Sequence, residues 1–177
     1  MTNSSLLIPS CYRFFRLDRN YKLGGGILLI TQSAFISNIE NQITNPDIEL
    51  LHCSIRKHNK MRLINVIVCY RPPNSCLDKC LEIFYNFLSN INYTDYPTYF
   101  LGDFNVPINK DQSKKIKLLS LFSNFGFKLV NSENTFLNIS HPSQLDLVFS
   151  NISSQSLINN ILTQPLHFTD HCLCLLY

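Results

Sequence analysis

Several residue types are absent or scarce in this 177-residue sequence. It has no tryptophan and only five glycines, and only 15% of its residues are charged. No apolar stretch approaches the ~18 residues that a membrane-spanning helix requires. Residues 1–10 lack both the basic start and the long apolar run of a signal peptide. The composition therefore predicts a protein without a membrane segment or a secretory leader.

Motifs of several enzyme classes are absent as well. The sequence has no phosphate-binding P-loop and no serine or cysteine nucleophile elbow. The three glycines at 24–26 lack the spacing of a dinucleotide fingerprint, and they predict a loop that enters the following strand. Cys76 and Cys80 lie four residues apart, but no second pair at zinc-ligand spacing accompanies them among the seven cysteines. We therefore expect reduced, mostly buried thiols and no zinc site.

The residues that are present suit one globular domain. Hydrophobic residues make up 45% of the chain, and its length is sufficient for a two-layer core. The formal net charge of +3 is small, and no run of lysines or arginines resembles a nucleic-acid-binding tail. The charge permits an anionic partner without requiring one.

Strand-like and helix-like patterns alternate along the chain. The β-branched run 61–70 predicts a buried strand, and the two prolines that follow end it abruptly. Apolar residues recur at helical spacing in 74–90 and in 110–122. Shorter strands are predicted at 97–101, 145–150, 157–162 and 172–177. The mixture predicts the α/β (α+β) class, with polar groups collected at strand ends.

Polar residues cluster where the central strand ends, in the stretch Leu-Gly-Asp-Phe-Asn-Val-Pro at 101–107. Asp103 and Asn105 are two residues apart, so an extended backbone places both side chains on the same side. A carboxylate beside a carboxamide can hold a divalent ion, a water or a phosphate oxygen. The same spacing also forms an ordinary Asx-turn, so this stretch alone leaves both interpretations open.

Further candidates stand at the ends of other predicted strands. Tyr70 and Arg71 lie where the prolines end a strand, although a tyrosine packed on the sheet rim fits there equally well. Asp146 lies inside an apolar strand, where an unpaired carboxylate is costly. Its expected partner is His171, which follows Asp170 at the start of the last strand; the alternative is a histidine satisfied within the core. Together these residues suit metal-assisted attack of water on a phosphodiester.

Four motifs follow one another along the chain: Tyr-Arg-Pro-Pro at 70–73, Gly-Asp-Phe-Asn at 102–105, Ser-Gln-Leu-Asp-Leu-Val-Phe at 143–149 and Thr-Asp-His at 169–171. In this order they resemble the endonuclease/exonuclease/phosphatase superfamily, and above all the endonuclease domain of non-LTR (LINE-type) retrotransposons. The likeness covers residues 8–177 and leaves 1–7 as a short N-terminal segment. It implies a four-layer α/β sandwich with two mixed β-sheets flanked by helices.

The resemblance implies DNA as the substrate and Mg²⁺ (or Mn²⁺) as the cofactor, with a nick that leaves a 3′-hydroxyl. Asp103 and Asn105 would position the attacking water and the scissile phosphate, and Asp103 would also lie at the metal. His171, oriented by Asp146, would stabilise the transition state. Tyr70 would hold the phosphate.

The same resemblance implies roles for four further residues. Asp170 would support the metal or the water, while Arg71, Thr135 and Ser143 would contact the DNA. The implied substrate places the protein inside the cell, in the nucleus or the cytoplasm. The reverse transcriptase that accompanies such domains would be a partner in the parent element, and no such domain is found in this sequence.

One departure separates the sequence from this family. The first strands of the family carry an asparagine and a metal-binding glutamate, and neither motif occurs here; Glu40 and Glu49 stand in a different context. The resemblance therefore predicts an N-terminally truncated domain that lacks the first strands. Three functions stay open: a DNA endonuclease, a catalytically inactive remnant that binds nucleic acid weakly at most, and a small-molecule phosphatase.

Overall fold

The computed structural model describes residues 9–19, 24–57, 63–138, 140–151 and 161–176. Among these residues, no helix is both long and apolar enough to cross a membrane. The described elements are β1 (Tyr12–Leu17), β2 (Ile27–Gln32), β3 (Phe35–Thr44), β4 (Glu49–Lys57), β5 (Ile64–Tyr70), α1 (Leu77–Asn90), β6 (Thr98–Asp103), α2 (Gln112–Asn124), β7 (Phe127–Leu129), β8 (Asp146–Asn151), β9 (Ile161–Pro165) and β10 (Cys172–Leu176).

Six strands form one mixed sheet in the order β3-β4-β5-β6-β8-β7. β5 and β6 run parallel, and the other neighbours are antiparallel. A parallel pair needs a crossover connection, which α1 supplies here. Both predicted helices are present and begin two to three residues later than expected. α2 begins where the side chain of Asp111 accepts a hydrogen bond from the backbone N–H of Lys114 at 3.0 Å.

Both helices cover one face of this sheet. Phe84 of α1 and Phe122 of α2 are fully buried, and their ring centroids lie 5.3 and 4.9 Å from that of Phe100 on β6. Phe122 also stacks on Phe149 of β8, with the centroids 4.0 Å apart. Because aromatic side chains remove a large apolar area from water, this helix-covered face forms the main core.

A smaller core lies on the opposite face, under the hairpin of β1 and β2. Leu17 and Ile27 of the hairpin pack with Leu51 of β4. The register of the hairpin pairs Phe14 with Ile30 on its outer side, where they are 49% and 47% exposed. The alternation of side chains along a strand therefore gives the hairpin one buried and one exposed apolar face.

The α/β class is confirmed by the six-stranded mixed sheet and the two helices. The second sheet that the resemblance implies differs in form, because the described residues outside the large sheet make two separate antiparallel pairs, β1 with β2 and β9 with β10. Most of the strand predicted at 157–162 falls outside the described residues, and β9 is described from Ile161.

Candidate active site

Three predicted site residues form a row across the ends of neighbouring strands. In register, Tyr70 of β5 lies beside Asp103 of β6, and Asp103 lies beside Asp146 of β8. Adjacent strands are about 4.8 Å apart, and successive side chains alternate between the two faces of a sheet. Val68 belongs to the smaller core and Phe100 to the main core. The row therefore lies on the face opposite the helices.

Gly102 allows β6 to bring Asp103 to this position. Its φ is +144°, and a Cβ built on it would overlap the backbone carbonyl of Cys69 on β5. Only glycine combines this backbone conformation with so close an approach. The glycine of the Gly-Asp-Phe-Asn motif is thus required by the contact between β5 and β6.

Asp103 and Asn105 are joined in one hydrogen-bonded turn. The backbone N–H of Asn105 donates to Oδ1 of Asp103, and its Nδ2 donates to Oδ2, both at 2.9 Å. The same Nδ2 donates to the carbonyl of Arg71 at 2.7 Å. Asn105 has a φ of +48°, which asparagine tolerates better than most residues. The Asx-turn is therefore present, and it fixes the carboxamide against the carboxylate.

Asp146 and His171 form a side-chain pair. Nδ1 of His171 lies 2.9 Å from Oδ2 of Asp146. The imidazole also packs edge-on against Phe136, with ring centroids 5.2 Å apart, and the next residue, Cys172, donates its N–H to the carbonyl of Thr135 at 2.7 Å. Asp146 thus has the partner that its place in an apolar strand requires.

Burial and neighbouring charges shift two of these groups. Burial, followed by the charge of Asp146, raises the pKa of Asp103 to about 6, against the opposing effects of Asn105 and His171. Burial lowers the pKa of His171, but the hydrogen bond and charge of Asp146 and the charges of Asp103 and Asp170 outweigh it, so this pKa lies above its ordinary value. Asp103 can therefore change protonation near neutral pH, and the site favours the protonated form of His171.

Asp103, Asp146 and His171 are close enough to hold a metal ion, since one possible ligand atom of each lies within 4.8 Å of the others. Two carboxylates and an imidazole are suitable ligands for a divalent cation. Asp170, the other predicted metal residue, has an exposed side chain, and its backbone carbonyl accepts the N–H of Leu137 at 2.7 Å. Its part in metal binding stays a prediction.

The three residues expected to contact DNA, Arg71, Thr135 and Ser143, are all buried. The guanidinium of Arg71 donates to the carbonyl of Asn105 at 3.3 Å, and Oγ1 of Thr135 accepts the N–H of Asp146 at 2.8 Å. These contacts support the site residues from within the protein. Direct contact with DNA stays a prediction, and the observed burial favours a supporting role instead.

A buried ion pair lies beside Tyr70 and was not predicted from the sequence. Glu49 lies opposite Tyr70 in the register of β4 and β5 and is fully buried. Its carboxylate accepts the N–H of Gly26 at 2.6 Å and pairs with the guanidinium of Arg19. That guanidinium lies 5.3 Å from the centre of the Tyr70 ring, a cation–π contact that helps to fix the tyrosine.

The sequence contains part of the information needed to find this ion pair. Glu49 begins an apolar strand, so the argument that assigns a partner to Asp146 applies to it equally. Arg19 is 30 residues earlier in the chain, and nothing in the local spacing selects it. Glu40 lies at an irregularity in the pairing of β3 with β4, and its carboxylate accepts a hydrogen bond from the hydroxyl of Ser54 at 2.5 Å.

A protein-family profile described as endonuclease-reverse transcriptase matches residues 64–175, which is more than half of the chain. The matched segment runs from β5 into β10 and includes Tyr70, Asp103, Asp146 and His171. The chain belongs to this family. A comparison with curated proteins finds no match to the sequence.

Several solved structures share the fold of this chain. The endonuclease domain of TRAS1, a telomere-specific non-LTR retrotransposon, is 19% identical at a TM-score of 0.74 and covers 91% of this chain and 75% of its own. An endonuclease/exonuclease/phosphatase family protein from Leptotrichia buccalis is 13% identical at 0.63 and covers 96% and 72%. The TDP2 protein of D. rerio, complexed with a single-strand DNA product, is 13% identical at 0.58 and covers 92% and 74%. At these identities the similarity shows a shared fold.

Proposed function

We propose that this protein is a Mg²⁺- or Mn²⁺-dependent endonuclease that hydrolyses phosphodiester bonds in DNA and leaves a 3′-hydroxyl. The observation that carries the proposal is the close group of Asp103, Asp146 and His171 at the strand ends. The family match and the fold shared with the TRAS1 domain support a nuclease-type hydrolase. Such an enzyme would act in the nucleus or the cytoplasm, where a reverse transcriptase of the parent element could extend the 3′-hydroxyl.

Asp103 is suited to take a proton from the attacking water. With a pKa of about 6 it is mostly ionised at neutral pH and is a stronger base than an ordinary carboxylate. Asn105 uses both hydrogens of Nδ2, on Asp103 and on the carbonyl of Arg71. Its Oδ1 is therefore the atom that would accept a hydrogen bond from the same water.

His171 is suited to stabilise charge on the phosphate. Because Nδ1 faces Asp146, Nε2 is the nitrogen that would donate to a phosphate oxygen. The raised pKa favours the protonated ring, which has an N–H at both nitrogens and stabilises the negative transition state. Tyr70 stands in the same row, and its hydroxyl would bind another phosphate oxygen.

Asp103 and Asp146 would hold the divalent ion, with Asp170 as a further predicted ligand. When bound, such an ion neutralises phosphate charge and polarises the attacking water. The carboxylates present here fit that role, because possible ligand atoms of Asp103 and Asp146 lie within 4.8 Å of each other.

A catalytically inactive remnant is the second candidate function. The observation in its favour is the state of Glu49, whose carboxylate is engaged by Arg19 and Gly26. In the described part of the chain, the group that can hold a metal contains two carboxylates, Asp103 and Asp146, and does not include Glu49. Fewer carboxylates weaken the binding of a hard cation.

Nicking of supercoiled plasmid in Mg²⁺ tests the proposed function. We expect the wild-type chain to convert supercoiled DNA into the open circle, and Asp103→Ala and His171→Ala each to slow this by about 100-fold or more, since each removes a group that acts in the transition state. Asp78→Ala is the matched control, because Asp78 is an exposed aspartate of α1 that pairs with Lys117. This variant should nick as the wild type does.

Three outcomes separate the candidate functions. Plasmid nicking that survives both site substitutions would assign the activity to a contaminant and remove support for this site. No nicking by the folded wild-type chain would support the inactive remnant. Cleavage of a small phosphomonoester in preference to DNA, lost in both site variants, would favour the phosphatase that stayed open from the sequence.

A further inference from the structure

The edge of β8 that faces away from β6 is hydrogen-bonded in two different ways along its length. β7 covers the second half of β8, where Leu129 pairs with Phe149 and the N–H of Val130 donates to the carbonyl of Val148 at 2.9 Å. β7 ends at Leu129, and in the described residues no strand continues beside the first half of β8. That half begins with Asp146.

The side chain of Asn131 takes the place of a strand there. Its Oδ1 accepts the N–H of Val148 at 2.8 Å, and its Nδ2 donates to the carbonyl of Asp146 at 2.9 Å. These two backbone groups belong to residues two apart, so both point to the same edge of β8. The carboxamide therefore pairs with β8 as a peptide group of a neighbouring strand would.

Asn131 is itself held firmly in this position. It is 4% exposed, and its backbone carbonyl accepts Nε2 of Gln144, also buried, at 2.9 Å. On the same edge of β8, the N–H of Asp146 donates to Oγ1 of Thr135 at 2.8 Å. The carbonyl of Thr135 accepts the N–H of Cys172, directly after His171. Asn131 and Thr135 thus bond both backbone groups of Asp146.

We propose that Asn131 is a positioning residue for the pair of Asp146 and His171. Its hydrogen bonds set the place of the Asp146 backbone, and the carboxylate on that backbone reaches His171 at 2.9 Å. A small displacement of the start of β8 would lengthen this contact and turn the imidazole away from the substrate. The catalytic consequence rests on the proposed function, whereas the geometric consequence does not.

Asn151 provides a matched control at the other end of the same strand. It is 5% exposed, its Oδ1 accepts the N–H of Thr98 at 3.1 Å, and its Nδ2 donates to the carbonyl of Tyr96 at 2.8 Å. It is the last residue of β8, whereas Asp146 is the first, and a strand of this length spans about 17 Å. Asn151→Ala removes comparable bonds far from the site.

The experiment compares the wild type, Asn131→Ala and Asn151→Ala as full-length proteins, at a temperature where circular dichroism shows all three folded. The first measurement is the proton NMR resonance of the His171 Nδ1–H, at one fixed pH and without metal. We expect this resonance to move upfield or disappear in Asn131→Ala, because its hydrogen bond to Asp146 weakens. It should keep its wild-type position in Asn151→Ala.

The second measurement is plasmid nicking in Mg²⁺. Loss of a residue that orients catalytic groups lowers activity by about 10- to 100-fold. We expect this loss in kcat for Asn131→Ala, with KM changed by less than about twofold, since the substitution removes none of the groups proposed to bind the phosphate. Asn151→Ala should match the wild type in both constants.

An unchanged His171 resonance in Asn131→Ala, or an equal change in both variants, would overturn the proposal. If the wild type shows the resonance but does not nick DNA, the proposed function fails and the NMR comparison still decides the role of Asn131. Should Asn131→Ala not fold, Asn131→Asp keeps the acceptor for Val148 and replaces the donor to the Asp146 carbonyl with an oxygen. The resonance should change in that variant too, and its constancy would refute the role.

Discussion

The two faces of the six-stranded sheet differ in how completely they are covered. The helix-covered face is closed by fully buried side chains such as Phe84 and Phe122. The opposite face carries the hairpin of β1 and β2, whose outer residues Phe14 and Ile30 are nearly half exposed. The row of Tyr70, Asp103 and Asp146 lies on this second face. Most of the stabilising burial is therefore on one face, and the polar chemistry is on the other.

Removing a side chain from the helix-covered face should have the largest effect on stability. Phe84→Ala deletes a fully buried ring that contacts Phe100, Phe104 and Phe122. We expect the free energy of unfolding, measured in urea, to fall by about 3–5 kcal/mol, through lost burial and the cavity that remains. A cost below about 1 kcal/mol would show that this face is not the main core.

A change of pH should have an intermediate effect, confined to the other face. Asp103, with a pKa of about 6, is protonated below that pH and can no longer bind a cation well. The Mn²⁺ affinity, measured by calorimetry, should therefore fall up to about tenfold per pH unit below 6 and level off above it. Asp103→Asn should bind weakly without this step. A wild-type affinity that is constant across pH 6 would argue against Asp103 as a ligand.

The same shift has a consequence for the metal-free protein. Between the ordinary pKa of 3.8 and about 6, the folded state keeps a proton on Asp103 that the unfolded state has released. The folded state binds more protons in this window, so the contribution of Asp103 to the free energy of unfolding falls as the pH rises.

The smallest effect is expected on the outer side of the hairpin. Phe14→Ala is the same substitution as Phe84→Ala, but at a residue that is 49% exposed. We expect a loss of less than about 1 kcal/mol in the same urea measurement, because less apolar surface returns to water and no closed cavity forms. A cost equal to that of Phe84→Ala would mean that another surface covers this face in solution.

Local rules explain what could be predicted from the sequence. The tendency of an aspartate to form an Asx-turn with the second residue after it brings Asp103 and Asn105 together, in place of the extended backbone that was the other expectation. The cost of an unpaired carboxylate in an apolar strand points from Asp146 to His171. The first argument needs only neighbouring residues, and the second needs only the general cost of burying an unpaired charge. The helices were predictable for the same reason, since their apolar spacing is repeated over several turns.

Long-range register explains what could not be predicted. Glu49 meets Tyr70 because β4 and β5 pair in one register, and Arg19 reaches both from a distant segment. Asn131 bonds to Asp146 because β7 ends at Leu129, and nothing in the sequence of β7 indicates that the strand ends there. Arg71 carries a charge that is usually exposed, yet the folded chain surrounds it with carbonyl acceptors.

Cys69, whose backbone lies against Gly102 and whose thiol is buried in the main core, gives the protein an internal reporter of local opening. Burial raises the pKa of the Cys69 thiol well above its ordinary value, and the charges of Asp103 and Asp146 raise it further. Since the thiolate is the reactive form and the Cys69 side chain belongs to the main core, an alkylating reagent should modify it only when the helix-covered face of β5 opens. The exposed Cys11 and Cys76 react without such a separation and serve as a reference. The rate of Cys69 alkylation thus measures, at a native residue, how often the core directly beneath the active-site row opens.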